Sequence, residues 1–310
     1  MRANELFDLT GKVALITGGS RGLGREMALA FADAGADVII ASRKLDECEK
    51  VAAEIEAKGR QAMAHAAHVG DWNGLAGLVD AAYARFGHVD VLVNNAGMSP
   101  LYRTIEDVTE ELYEKVLDVN LKGPFRLIQL LGPRMAAGAG GSIINISSVA
   151  STKPTPDVIP YAAAKSGLNA ITQGFAWTWR PKVRVNCIVA GPFLTDISKA
   201  WDMASFNASA QQSVALGRGG EPGEIVAPRS TSRPTRRASP RAHCCPSRAV
   251  SASAIGGRPR AVVDGCCTVR ATAGWGSPAG RTPMSGVVVT HGTIRSCATT
   301  SAPSSASGRS

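Results

Sequence analysis

The chain has 310 residues, enough for one large domain with a real hydrophobic core, and a formal net charge of +9. The charge is not shared evenly: residues 228–310 hold 12 Arg, no Lys and a single acid, Asp264, while 22 basic and 24 acidic residues lie in 1–227. The near-neutral body excludes a nucleic-acid-binding surface read from overall basicity, and no stretch approaches the ~20 apolar residues of a membrane span.

In chain order, residues 12–19 (KVALITGG) are a short apolar run ending in Thr-Gly-Gly, the pattern of a buried parallel strand. Residues 24–35 have apolar side chains at helical spacing and stop at Gly35, a plausible helix end. The pattern then predicts a strand over 36–43, a charged amphipathic helix over 44–59, a strand over 61–65, a helix over 72–86 and a strongly apolar strand over 89–95. One long helix is predicted over 109–136, a fifth strand over 141–147, a helix over 161–178 and a sixth strand over 183–189. Such alternation predicts an α/β fold, a doubly wound parallel sheet. The segment 193–215, with Trp201, Met203 and Phe206, is either a mobile substrate lid or an ordinary amphipathic helix. Residues 1–12 carry no long apolar run, so a cytoplasmic location is expected.

Chemistry-bearing residues cluster where strands end. The first strand–helix turn, TGGSRGLG (17–24), spaces Gly18, Gly22 and Gly24 as G-x-x-x-G-x-G. It is either a tight turn or a dinucleotide site, in which glycines admit a pyrophosphate and the next helix presents its N–H groups. At the end of strand two an NAD site wants an acid, but this chain has Ser42-Arg43-Lys44, with Arg21 in the glycine turn. Cations there suit a 2′-phosphate, so NADP(H) is favoured over NAD(H); otherwise Arg43 simply begins a helix in solvent. NNAG (94–97) ends strand four, and YAAAK sets Tyr161 and Lys165 one helical turn apart. Ser148 follows strand five, and Asn120 lies in the long helix, where a solvated amide is the plain alternative. The Cys spacings do not suit a metal site.

Taken together, TGGSRGLG, NNAG, the Asn of LDVNLKG (117–123), the Ser of INISSVA (144–150), YAAAK and VRVNCIVAGPFLTD (183–196) resemble the short-chain dehydrogenase/reductase family, in family order over about 10–227. Within it the chain resembles 3-oxoacyl-ACP-reductase-like members. The resemblance implies a Rossmann fold and a catalytic tetrad of Asn120, Ser148, Tyr161 and Lys165. It implies cofactor contacts at Gly18, Ser20, Arg21, Gly22, Leu23, Gly24, Arg43, Asn94, Ala96, Gly97, Tyr161, Lys165 and Thr195. The implied reaction is hydride transfer between NADP(H) and a ketone or secondary alcohol, without a metal. Developing charge on the carbonyl oxygen needs a proton donor, and Tyr161 fills that role with Ser148 holding the oxygen. A Lys165 ammonium at ~4 Å contributes on the order of 4 kcal/mol at an effective dielectric of 20, which is expected to bring the phenol toward working pH. Asn120 is expected to seat a water. Two positions depart from the family: His68 replaces an Asp after strand three, and Ala190-Gly191 replaces Pro-Gly. Altered affinity rather than lost chemistry is expected from both.

The expected organisation is an NADP-binding catalytic domain over 1–227, lid included, and a non-family, disordered Arg/Ser/Pro-rich tail over 228–310. The tail has no Leu, Phe, Tyr, Asn or Gln with which to offset its ordering entropy. The family's next helix and seventh strand are missing from it. A one-base slip near Val226 admits both, because the codons of visible Ser and Cys then yield apolar residues. We hypothesise an out-of-frame tail; a gene with no one-base frame restoring those elements would overturn this. A basic tail binding a polyanion is the rival. A damaged C-terminus also puts family-type homo-oligomers in doubt and leaves open a catalytically impaired cofactor-binding or scaffold protein.

Overall fold

Five residues with buried side chains, Val13–Thr17, form β1 of the computed structural model, which describes residues 7–226. From β1 the chain runs through α1 (Gly22–Asp33), β2 (Asp37–Ser42), α2 (Leu45–Glu56), β3 (Ala62–Ala66), α3 (Gly74–Phe86) and β4 (Val91–Asn94). The second half comprises α4 (Glu110–Leu117), α5 (Gly123–Ala137), β5 (Gly141–Ser148), α6 (Ile159–Thr178), β6 (Val183–Ala190) and α7 (Met203–Ser213). The expectations for 228–310, namely the disordered tail, the missing seventh strand and the frame slip, fall outside the described residues.

The six strands form one sheet in the order β3-β2-β1-β4-β5-β6, every neighbouring pair parallel. This is the predicted doubly wound, Rossmann-type arrangement. The winding reverses between β1 and β4, so their carboxyl ends part to leave a crevice. Alternation along each strand builds the two layers. Leu15, Ile39, Leu92 and Ile143 face α3 and α5, whose Leu78, Leu127 and Leu131 meet them. Ile16, Val38, Ile40 and Val93 face the other way, onto Met27 and Ala28 of α1 and Val51 and Ile55 of α2. Burial on both faces explains why these strands read as unbroken apolar runs.

The single helix predicted over 109–136 is instead two helices joined by a π-helical turn, Asp118–Lys122. Two residues account for the break. Pro124 has no N–H to offer the Asn120 carbonyl four residues back, and the Asn120 amide itself donates to the Val116 carbonyl at 2.9 Å. Turns of this type recur at functional sites. The segment 193–215 holds a short 3-10 turn at Asp196–Ala200 and α7, and it is tied down where Leu194 N–H donates to the Gly220 carbonyl at 2.8 Å.

Candidate active site

The turn between β1 and α1 is shaped by its glycines. Gly18 and Gly22 adopt φ of +62° and +54°, left-handed values that favour glycine. A Cβ on Gly24 would lie 2.2 Å from the Gly18 carbonyl oxygen, so α1 can pack this close to the turn only with glycine there. Residues just after β4 fasten the turn from the side. The Thr17 hydroxyl oxygen accepts from the backbone N–H of Asn95 and of Ala96, both at 3.1 Å. The Asn95 amide donates to the carbonyls of Thr17 (3.0 Å) and Gly18 (3.2 Å).

No side chain caps α1 at Arg21, so its leading N–H groups are open to a ligand. A glycine-rich turn beneath an uncapped helix start fits the pyrophosphate of a dinucleotide. Ser20 is buried and donates to the Ser42 hydroxyl at 3.0 Å, linking the turn to the end of β2. Leu23 packs on the α1-side core. Arg43 is exposed, with no ion-pair partner among the described residues. Arg21 has one: its guanidinium lies 3.1 Å from Asp196, which also pairs with Lys199 at 2.5 Å. The hydrogen bond from Lys199, joined by the Arg21 charge, holds the Asp196 carboxyl below its usual range. Thr195, the preceding residue, lies against Gly22, its methyl 3.5 Å from where a Cβ there would sit.

The NNAG residues divide their tasks. Asn94 is 2% exposed and points into the sheet, its amide donating to the Asn145 side chain at 2.9 Å. Its own oxygen is buried without a partner among the described residues. Ala96 and Gly97 form the crevice wall instead: a Cβ on Gly18 would lie 2.9 Å from Ala96 Cα, and one on Gly97 would lie 3.6 Å from Lys165 Nζ. The glycine turn, this wall and Lys165 are therefore contiguous.

Lys165 sits on α6 one turn after Tyr161. It is 4% exposed, donates to the Ile146 carbonyl at 2.8 Å and lies 5.7 Å from the centroid of the Tyr161 ring. Burial takes its pKa from 10.5 down to about 8, with the Cys187 sulfur opposing that shift. Tyr161 differs from the sequence expectation. Burial pushes its phenol above the usual value, and the hydrogen bond with Ser148 only offsets this in part. The expected lowering by Lys165 is not what the structure shows, because that ammonium bonds the β5 backbone instead and desolvation acts on both groups.

Asn120 is fully buried, which removes the solvated-amide alternative. Its amide donates to the carbonyls of Met98 (2.8 Å) and Val116 (2.9 Å), and its oxygen accepts from Met98 N–H at 3.2 Å. Both amide hydrogens are spent, so Asn120 has no side-chain donor left for a water. His68 is exposed and accepts from Gly70 N–H at 3.2 Å. An apolar niche formed by Pro100, Tyr102, Leu112, Val116, Val158 and Pro160 adjoins Tyr161.

The structure thus brings Ser148, Tyr161 and Lys165 together and sets the glycine turn with Ala96, Gly97 and Thr195 beside them. Sequence reasoning did not single out Thr17 and Asn95, which fasten the turn, or Asn145 and Thr172, which continue the buried chain from Asn94. A polar Asn145 inside the apolar run of β5 was the available signal. Among the described residues no helix is long and apolar enough to cross a membrane, and no group of three or more His, Cys, Asp or Glu could hold a metal ion.

The sequence model of a family described as short chain dehydrogenase matches residues 12–205. A human protein named dehydrogenase/reductase SDR family member 4 is 34% identical over 216 residues, covering 69% of this chain and 78% of that protein. A crystal structure of a short-chain type dehydrogenase/reductase from Mycobacterium marinum aligns with a TM-score of 0.67 at 32% identity, over 72% of this chain and 88% of the other. One of a gluconate 5-dehydrogenase from Burkholderia cenocepacia J2315, in complex with NADP and tartrate, aligns with a TM-score of 0.69 at 32% identity, over 73% and 89%.

Proposed function

The chain belongs to the short-chain dehydrogenase family, and from that premise we propose that it moves hydride between NADP(H) and a ketone or secondary alcohol, with Tyr161 as the general acid/base. The observation that carries the reading is the meeting of Tyr161, Ser148 and Lys165 at a wall, Gly97 and Ala96, continuous with the glycine turn. Bound nicotinamide would supply or accept the hydride, a chemistry that no side chain of this site offers.

Gly18, Ser20, Gly22, Leu23 and the start of α1 would hold the pyrophosphate, with Ala96, Gly97 and Thr195 toward the nicotinamide. An exposed Arg43 without an ion-pair partner among the described residues, and the absence of an acid at the end of β2, support the 2′-phosphorylated form, which the B. cenocepacia enzyme carries. At the reacting oxygen, the high pKa keeps Tyr161 protonated at neutral pH, as a donor to a developing alkoxide must be. Ser148 Oγ can hold the same oxygen. In the oxidative direction Tyr161 must first lose its proton, so that direction gains rate as pH rises. Any water beside Asn120 would meet backbone rather than its spent amide, since Pro124 leaves the Asn120 carbonyl without an α-helical donor.

NADPH consumption measured over a carbonyl panel of 3-oxoacyl thioesters, sugar-derived ketones and steroid-like ketones tests the proposal, with Tyr161→Phe as control. Turnover that Tyr161→Phe removes is expected. NADPH binding with no turnover of any compound would indicate a cofactor-binding protein instead.

A further inference from the structure

Ser148 is held from both sides by groups outside the acid/base assignment. Its Oγ accepts from Ala150 N–H at 3.2 Å and is hydrogen-bonded with the Tyr161 phenol. Its carbonyl accepts from the Ser151 hydroxyl at 2.6 Å. Ser151 is in turn fixed by α6, the helix of Tyr161 and Lys165. Asn169 Nδ2 donates to Ser151 Oγ at 2.8 Å, and the Ser166 hydroxyl donates to the Ser151 carbonyl at 2.8 Å. The Asn169 amide is itself oriented, because the Cys187 thiol of β6 donates to its Oδ1 at 3.3 Å.

Each donor in this chain has one direction. The thiol hydrogen goes to Asn169, the Asn169 amide hydrogen to Ser151, and the single Ser151 hydrogen to the Ser148 carbonyl. With its one hydrogen committed and its oxygen occupied, Ser151 cannot rotate without leaving a polar group unpaired, a loss that half-buried groups resist.

We propose that Ser151 and Asn169 are positioning residues that lock the Ser148 loop to α6 and so fix the Ser148–Tyr161 spacing. The inference rests on the acid/base reading above. Ser148 is the group whose hydrogen bond holds the Tyr161 phenol down against burial, so a slackened Ser148 leaves burial to raise its proton affinity further.

The test uses the full chain, with Ser151→Ala and Asn169→Ala as losses and Ser151→Thr as the conservative rescue. The Tyr161 phenol is titrated by ultraviolet absorbance as the difference from matching Tyr161→Phe chains, a readout that needs no turnover. Both Ala variants are expected to raise its midpoint by about half a pH unit or more, and Ser151→Thr to restore it. On any carbonyl that is turned over, kcat should fall about tenfold with KM and NADPH affinity within about twofold. An unmoved phenol midpoint in both Ala variants overturns the inference, as does a rise in KM alone. If the wild-type chain reduces no carbonyl, the functional reading fails on its own, and the phenol titration still decides the positioning role.

Discussion

Replacing Lys165 with Met should separate the stability of this fold from its chemistry. The ammonium is 4% exposed, and burial brings its pKa from 10.5 to about 8. That difference corresponds to about 3 kcal/mol of folding free energy lost by keeping Lys165 charged at pH 7. The sign follows from proton counts. Between about pH 8 and 10.5 the unfolded chain keeps the Lys165 proton that the folded chain has released, so this residue's contribution to stability rises with pH across that window. Met has similar length and no charge, so the variant lacks that rise. It also leaves the Ile146 carbonyl unpaired, at a cost of about 1–3 kcal/mol that does not depend on pH. Urea unfolding followed by Trp fluorescence at several pH values should therefore show wild type gaining about 2–3 kcal/mol on Lys165→Met between pH 7 and pH 10. Carbonyl reduction should fall at least about a hundredfold in the variant. Parallel stability curves for the two chains would refute the reasoning, since a charge that costs nothing to bury leaves no pH signature.

Outcomes for four further variants follow from the geometry. Gly24→Ala drives a Cβ to 2.2 Å from the Gly18 carbonyl and should destabilise by about 2 kcal/mol or more while abolishing NADPH binding, whereas Gly77→Ala, exposed inside α3 with nothing within 4 Å, should stabilise by about 1 kcal/mol. Unfolding curves and fluorescence titration read both. Arg43→Leu should raise KM for NADPH about tenfold and leave KM for NADH nearly unchanged; equal changes would remove Arg43 from 2′-phosphate recognition. Thr172→Val leaves the Asn145 amide without its 2.8 Å partner and should cost about 1–3 kcal/mol by urea unfolding, with Km for NADPH unaffected.

Local pattern was enough for the sheet because both faces of each strand are buried: VALIT and DVIIAS read as apolar runs since Leu15 and Ile16, or Ile39 and Ile40, serve opposite cores. The helix over 109–136 misled for the opposite reason. Its periodicity continues through Asp118–Lys122, and the break comes from a side chain and a proline acting on backbone, which periodicity does not register. In the site, the glycine turn was legible because no other residue satisfies both φ +62° at Gly18 and the close approach at Gly24. The partners of Arg21 and Asn169 were not. Asp196 lies 175 positions from Arg21, and Cys187 meets Asn169 only because β6 lies beneath α6. Nor could a sequence reveal that burial outweighs the Ser148 hydrogen bond at Tyr161, since the balance depends on depth.

The fastening of the glycine turn by Asn95 also has a kinetic side. Its bonds to the Thr17 and Gly18 carbonyls span separations of 78 and 77 residues, whereas β2 holds the turn through Ser20–Ser42 and the Gly18 N–H to the Ala41 carbonyl, which leaves both of those carbonyls to Asn95. The turn therefore completes its set of bonds only after β4 has docked beside β1, closing a loop of that length. During synthesis the first three strands and their helices emerge ahead of Asn95, and Tyr161, Lys165 and Thr195 emerge later still, so cofactor affinity should build up after β1–β4 pairing rather than with the first strand–helix unit.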